Sequence, residues 1–148
     1  MNVLIAADDQ TTCQEIQSLL DPQLDITAHT CVDACDLRRH VRATRPDLVL
    51  LDWELTGRPP AALLFALDRV SCSPASRQTT GHWHTGYWPT GYWPAVIVLS
   101  NCPEVKPVAL ACGAAAFVHK HQAHATLDTA VRRLAADPLN ACPVPCLA

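Results

Sequence analysis

The chain reads as an α/β domain built on a parallel sheet, on three observations. Short apolar runs with strand character alternate with segments of helical period. Two of those runs, LVLL at 48–51 and VIVL at 96–99, are apolar throughout, as strands covered on both faces are. The length of 148 residues, with 49% hydrophobic and 17% charged residues, suits one domain with a sizeable core and excludes a disordered chain.

Val3 to Ala7 is the first expected strand. Gln10 to Leu20 carries Ile16, Leu19 and Leu20 at helical spacing, and Pro22 closes that helix. Asp25 to Cys31 alternates weakly as strand two, and Asp33 is positioned to cap a helix bearing Leu37 and Val41. Pro46 precedes the central strand Leu48 to Leu51, which ends at Asp52. Ala61 to Val70 follows as helix three, with Pro59 and Pro60 at its mouth. Val96 to Leu99 is strand four, and the next helix runs from about Glu104 to Cys112, where Gly113 can end it. Ala116 to Val118 is a short fifth strand. The last helix, about Ala123 to Ala136, aligns Leu127, Val131 and Leu134 on one stripe.

Residues 71–94 break this alternation. They are rich in Ser, Thr, Gly and Pro and contain the repeat TGHWH, TGYWP, TGYWP. The segment reads as a low-complexity insertion between helix three and strand four. Its Trp83, Tyr87, Trp88, Tyr92 and Trp93 either pack locally or anchor a partner protein. Residues 137–148 form a Pro- and Cys-rich tail, too short for a further output domain.

Composition narrows the setting. A net charge of −3 supplies no general attraction to nucleic acid or anionic lipid. No apolar run approaches the ~20 residues of a membrane span, and MNVLIAADDQ lacks the basic lead of a signal peptide. A cytoplasmic location is therefore expected, with the eight cysteines reduced and mostly buried.

Polar residues concentrate at the strand ends. In open parallel sheets the ligand crevice lies beyond the carboxyl ends of the strands. Strand one runs into Asp8 and Asp9, strand three into Asp52, strand four into Ser100 and strand five into Lys120. Singly, each has an ordinary explanation: helix capping for the Asp pair and Ser100, a turn residue for Asp52, a solvated strand end for Lys120. Together they put three carboxylates, a hydroxyl and an amine on one rim. Three close carboxylates repel unless a cation sits among them, and an oxygen-only donor set favours a hard ion such as Mg2+. The amine and hydroxyl leave room for an anion with several oxygens, for which phosphoryl is the natural occupant.

The segments VLIAADD, LVLLDWELTG, VIVLSN and AAAFVHK resemble the receiver domains of two-component response regulators, the CheY-like family. The resemblance covers residues 1–136 apart from the insertion. It implies a flavodoxin-like, doubly wound five-stranded sheet in the order 2-1-3-4-5, with helices on both faces. It further implies Asp52 as the phosphoryl acceptor, and Mg2+ held by Asp8, Asp9, Asp52 and the carbonyl of Glu54. Ser100 and Lys120 would contact the phosphoryl oxygens, and Phe117 would be the switch aromatic. The implied partners are a sensor histidine kinase or phosphotransfer protein and a downstream protein target. Output would run through helix four, strand five and helix five, a surface also suited to a homodimer. Such a domain accepts a phosphoryl group rather than turning over a substrate, and no direct contact with membrane or nucleic acid is expected.

Three positions depart from the family pattern. Thr56 stands where many receivers carry Pro, although Gly57 follows as usual; Asn101 replaces a small residue; His121 follows the lysine in place of Pro. Two further readings remain open: a phosphorylation-independent binding module working through the aromatic insertion, and an Asp-dependent phosphatase with Glu54 as its second carboxylate. The insertion joins a helix to a strand, so it emerges opposite the acceptor, about 17 Å away across a five-residue strand. RRHVRATR, from Arg38 to Arg45, reads as a solvated helix face. Cys31 with Cys35, Cys142 with Cys146, and the trio His119, His121 and His124 are weaker candidates for a transition metal.

Overall fold

The computed structural model describes residues 1–20, 22, 24–55, 61–64 and 94–136. Helices and strands alternate along the chain: β1 (Asn2–Ala6), α1 (Gln10–Ser18), β2 (Thr27–Cys31), α2 (Leu37–Thr44) and β3 (Leu48–Asp52). The helical residues 61–64 (α3) follow. Then come β4 (Ala95–Ser100), α4 (Val105–Ala111), β5 (Ala116–His119), a 3-10 turn (Lys120–Gln122) and α5 (Ala123–Ala136). The strands form one sheet in the order β2-β1-β3-β4-β5, and every neighbouring pair is parallel.

The two central apolar runs explain the layering. Successive side chains on a strand point to opposite faces, so an unbroken apolar run supplies two cores at once. Val3, Ile5, Leu48, Leu50, Ile97 and Leu99 pack on one face with Cys13 and Ile16 of α1 and Leu127 and Val131 of α5. Leu4, Ala6, Val49, Leu51, Val96 and Val98 pack on the other with Leu37 and Val41 of α2, Leu63 and Leu64 of α3 and Ala109 of α4. Each of these large side chains removed from water contributes roughly 1.5–3 kcal/mol. The doubly wound fold expected from the sequence is therefore present, in the expected strand order.

Element ends differ from the sequence reading where local hydrogen bonding decides them. Helix α1 stops at Ser18 rather than Leu20, because Leu19 and Leu20 donate to the carbonyls of Ile16 and Gln17 and tighten the chain into a turn. Helix α2 begins only at Leu37. Asp33, expected to cap it, instead accepts the N–H of Cys35 at 2.7 Å and closes a separate turn before the helix. Helix α4 ends as expected at Gly113, whose φ of 100° suits a residue without a side chain. There Gly113 N–H donates to Leu110 and Ala114 N–H to Ala109, satisfying two terminal carbonyls.

The described cysteines are not mostly buried. Among the described residues, Cys13 and Cys31 are buried, Cys112 is intermediate, and Cys35 and Cys102 are exposed; all five are free thiols. The aromatic insertion except for Pro94, the tail 137–148, the rest of helix three, and Thr56 and Gly57 lie outside the described residues. Among the described residues no helix is long and apolar enough to cross a membrane.

Candidate functional site

Parallel pairing brings the carboxyl ends of β1, β3, β4 and β5 to one edge. Ala6 pairs with Leu51, Asp52 with Leu99, and Ser100 with His119. Asp8 and Asp9 leave β1, Asp52 closes β3, Ser100 closes β4, and Lys120 opens the turn after β5. Trp53 N–H donates to the Leu99 carbonyl at 2.8 Å, which keeps β3 fastened to β4 just past the acid.

Asp52 is fully buried, a costly place for a charge without partners. Its Oδ2 receives the Lys120 ammonium at 2.7 Å, and its Oδ1 receives the backbone N–H of Glu54 at 2.9 Å. Burial, helped by the neighbouring Glu54 carboxyl, pushes the Asp52 pKa up to about 6 against the pull of Lys120. The acid is nevertheless mainly ionised at neutral pH. Burial opposes the charge on Lys120, yet the two adjoining carboxylates outweigh it and hold the ammonium above its ordinary pKa.

Ser100 is also fully buried, and it does not cap α4. Its hydroxyl donates to Glu54 Oε1 at 2.7 Å and accepts the N–H of Cys102 at 3.0 Å. Glu54 Oε2 contacts the Lys120 ammonium. Although burial alone would raise it, the Glu54 pKa is lowered, because the neighbouring Asp52 takes up a proton first and Lys120 and Ser100 donate hydrogen bonds to Glu54. The Glu54 side chain is the member of this cluster the sequence reading missed, having considered its carbonyl and a possible acid role only. A surplus of carboxylate over lysine at this edge was the available signal.

Asp9 has a different immediate task. Both its oxygens accept from Thr12, Oδ1 from the N–H and Oδ2 from the hydroxyl, each at 2.8 Å, so it caps α1. The backbone bond first, and the hydroxyl second, hold its carboxyl below the ordinary aspartate range. Asp8 is exposed beside it. Among the described residues no three His, Cys, Asp or Glu side chains are gathered to hold a metal, which applies equally to Cys31 with Cys35 and to the histidines. The rings of His119 and His121 lie 5.4 Å apart without a third ligand. The donor chemistry at the sheet edge still fits a hard divalent ion: carboxylates of Asp8, Asp9 and Asp52 and the carbonyl of Glu54 are all oxygen donors.

Two other sequence candidates have clear positions. Phe117 lies on β5 opposite Val98, partly buried against the core that contains Ala109 of α4. Arg38, Arg39 and Arg42 line an open, solvated side of α2 with Cys35 and Ala43, and Arg39 pairs with Asp36 at 3.1 Å.

The sequence matches no family model and no curated protein. Solved structures do match. The receiver domain of Francisella response regulator 1452 superposes with a TM-score of 0.68 at 19% identity, covering 93% of this chain and 98% of that one. The fold is that of a response-regulator receiver domain. The signal receiver domain of a DNA-binding response regulator (merR) from Colwellia psychrerythraea 34H gives a TM-score of 0.70 at 16% identity, covering 93% and 99%. The chemotaxis response regulator CheY4 of Vibrio cholerae gives 0.65 at 18%, covering 90% and 97%. The receiver fold is thus kept where few side chains are shared.

Proposed function

We propose that the chain is a phosphoacceptor receiver of a two-component phosphorelay, with Asp52 as the acceptor. The observation that carries this reading is a fully buried carboxylate at the end of the central strand, 2.7 Å from a lysine ammonium. A buried acid that is ionised at neutral pH is a nucleophile without need of a general base. One Asp52 oxygen forms the O–P bond while the N–P bond of a phosphohistidine donor breaks, leaving the electron pair on the imidazole nitrogen.

In this reading Lys120 Nζ and Ser100 Oγ take up charge on the transferring oxygens, which is catalysis by position and electrostatics. Mg2+ held by Asp8, Asp9, Asp52 and the Glu54 carbonyl would neutralise further charge when bound; Asp9 would then share its oxygens with Thr12 or bind through water. The acyl phosphate draws Ser100 and the loop after β4 toward it, and Phe117 on the adjoining strand follows that loop. The altered surface of α4, β5 and α5 then contacts a downstream protein, with a sensor histidine kinase or phosphotransfer protein as donor. Exposed Val108 and Leu110 on α4 supply apolar area for such a contact. A cytoplasmic setting accords with this chemistry.

Incubation with acetyl phosphate and Mg2+, followed by intact-mass measurement, tests the reading. The wild type should gain one phosphoryl group and Asp52→Asn none. Equal gain in both, or no gain in the wild type and in every Glu54 variant described below, would overturn it.

A further inference from the structure

The groups that would receive phosphoryl oxygens are already engaged. Ser100 Oγ is committed to Glu54 Oε1 at 2.7 Å, and Lys120 Nζ contacts Glu54 Oε2 while also bonding Asp52. The Asn101 N–H approaches the same Oε1 at 3.4 Å. A carboxylate offers two anionic oxygens in one plane, much as one face of a phosphoryl group does. Glu54 reaches this position from within two residues of the acceptor, on the same strand end.

We propose that the Glu54 carboxylate is an internal occupant of the phosphoryl seat and must swing out before Asp52 can be phosphorylated. This inference rests on the phosphoacceptor reading. The side chain is suited to the movement, because its relative exposure is 43% whereas that of Asp52 is 1%. Outward rotation frees one Ser100 donor and one Lys120 donor, which pass to the phosphoryl oxygens. With acetyl phosphate, an Asp52 oxygen then forms the O–P bond, the bond from phosphorus to the acetyl oxygen breaks, and acetate leaves with the electron pair. Glu54 thereby sets the rate of entry and competes with any anion for the seat.

The test compares wild type, Glu54→Gln and Glu54→Ala at saturating Mg2+. Both substitutions leave the backbone carbonyl in place, and the half-exposed position tolerates them. The initial rate of phosphorylation by acetyl phosphate should rise roughly two- to fivefold in Glu54→Ala, the range expected on releasing a partly exposed ion pair. Glu54→Gln, which keeps the shape and loses the charge, should fall between. Affinity for beryllofluoride, read by fluorine NMR, should rise by a similar factor, a change that a purely structural role would not produce. The double variant Asp52→Asn/Glu54→Ala should gain no phosphoryl group.

If the wild type is phosphorylated on Asp52 and neither variant is faster or binds beryllofluoride more tightly, the gate is overturned while the acceptor assignment stands. If Glu54→Ala is phosphorylated and the wild type is not, both stand. If none of the three gains a phosphoryl group, both fall.

Discussion

The Lys120 ammonium lies 2.7 Å from Asp52 Oδ2, joining residues 68 positions apart across the ends of β3 and β5. The bond spans the intervening strand β4, so all three strand ends are tied at one point. It also leaves a buried carboxylate whose pKa is pushed up from 3.8 to about 6, chiefly by burial.

That shift makes stability depend on pH. Between the two values the folded protein holds a proton that the unfolded chain has released, so the contribution of this group to stability is greatest below 3.8 and falls as pH rises through about 6. Asp52→Asn removes the dependence. Relative to wild type, the variant should gain roughly 1 kcal/mol between about pH 5 and about pH 7. Urea denaturation in the presence of a chelator reads this difference; a constant offset across that range would contradict it.

Lys120→Met should move Asp52 further in the same direction, because the ammonium is what opposes burial. The carboxyl midpoint, followed by carbon NMR, should lie above about 6 in the variant. Phosphorylation at neutral pH should fall by about tenfold or more, both from fewer ionised acceptors and from lost charge stabilisation. An unchanged midpoint would show that the ion pair does not set the acceptor's titration.

Asp9 separates capping from metal binding. Asp9→Ala loses both bonds to Thr12 and should lower the denaturation midpoint. Asp9→Asn can still cap α1, so its stability should stay close to wild type while its Mg2+ affinity falls. Chemical denaturation and Mg2+ titration measure the two effects separately, and equal losses of both in Asp9→Asn would refute the division.

Gly113→Ala tests the turn that ends α4. A φ of 100° is open to glycine and unfavourable with a β-carbon, so the substitution should cost about 1 kcal/mol or somewhat more. Denaturation midpoints settle it; a neutral effect would mean that the turn relaxes.

Much of this architecture is legible in the sequence because patterning and topology do the same work. LVLL and VIVL read as strands covered on both sides, and the strand ends they define carry Asp52 and Ser100 to one rim. Lys120 follows for the same reason. The caps were harder to read, since Asp33 and Asp36 both precede α2, yet Asp33 closes the turn to Cys35 and Asp36 pairs with Arg39, so neither side chain caps the helix. Thiol burial was misread because Cys35 and Cys102 lie beside Asp33, Asp36, Asn101 and Glu104, in polar surroundings that leave them facing solvent. The Glu54 side chain was legible only as one more carboxylate near Asp52, not as the partner of Ser100 and Lys120. Its position depends on a balance among Asp52, Ser100 and Lys120, which come from three strands and meet only after folding.

The two buried thiols among the described residues lie on opposite sides of the sheet, Cys13 in the layer with α1 and α5 and Cys31 in the layer with α2 and α4. Burial raises the pKa of each, so neither is a ready nucleophile while its layer stays closed. Alkylation of one or the other therefore timestamps the breathing of a separate half of the molecule. A single labelling time course, resolved by peptide mapping, can thus reveal whether the two halves loosen together or in succession.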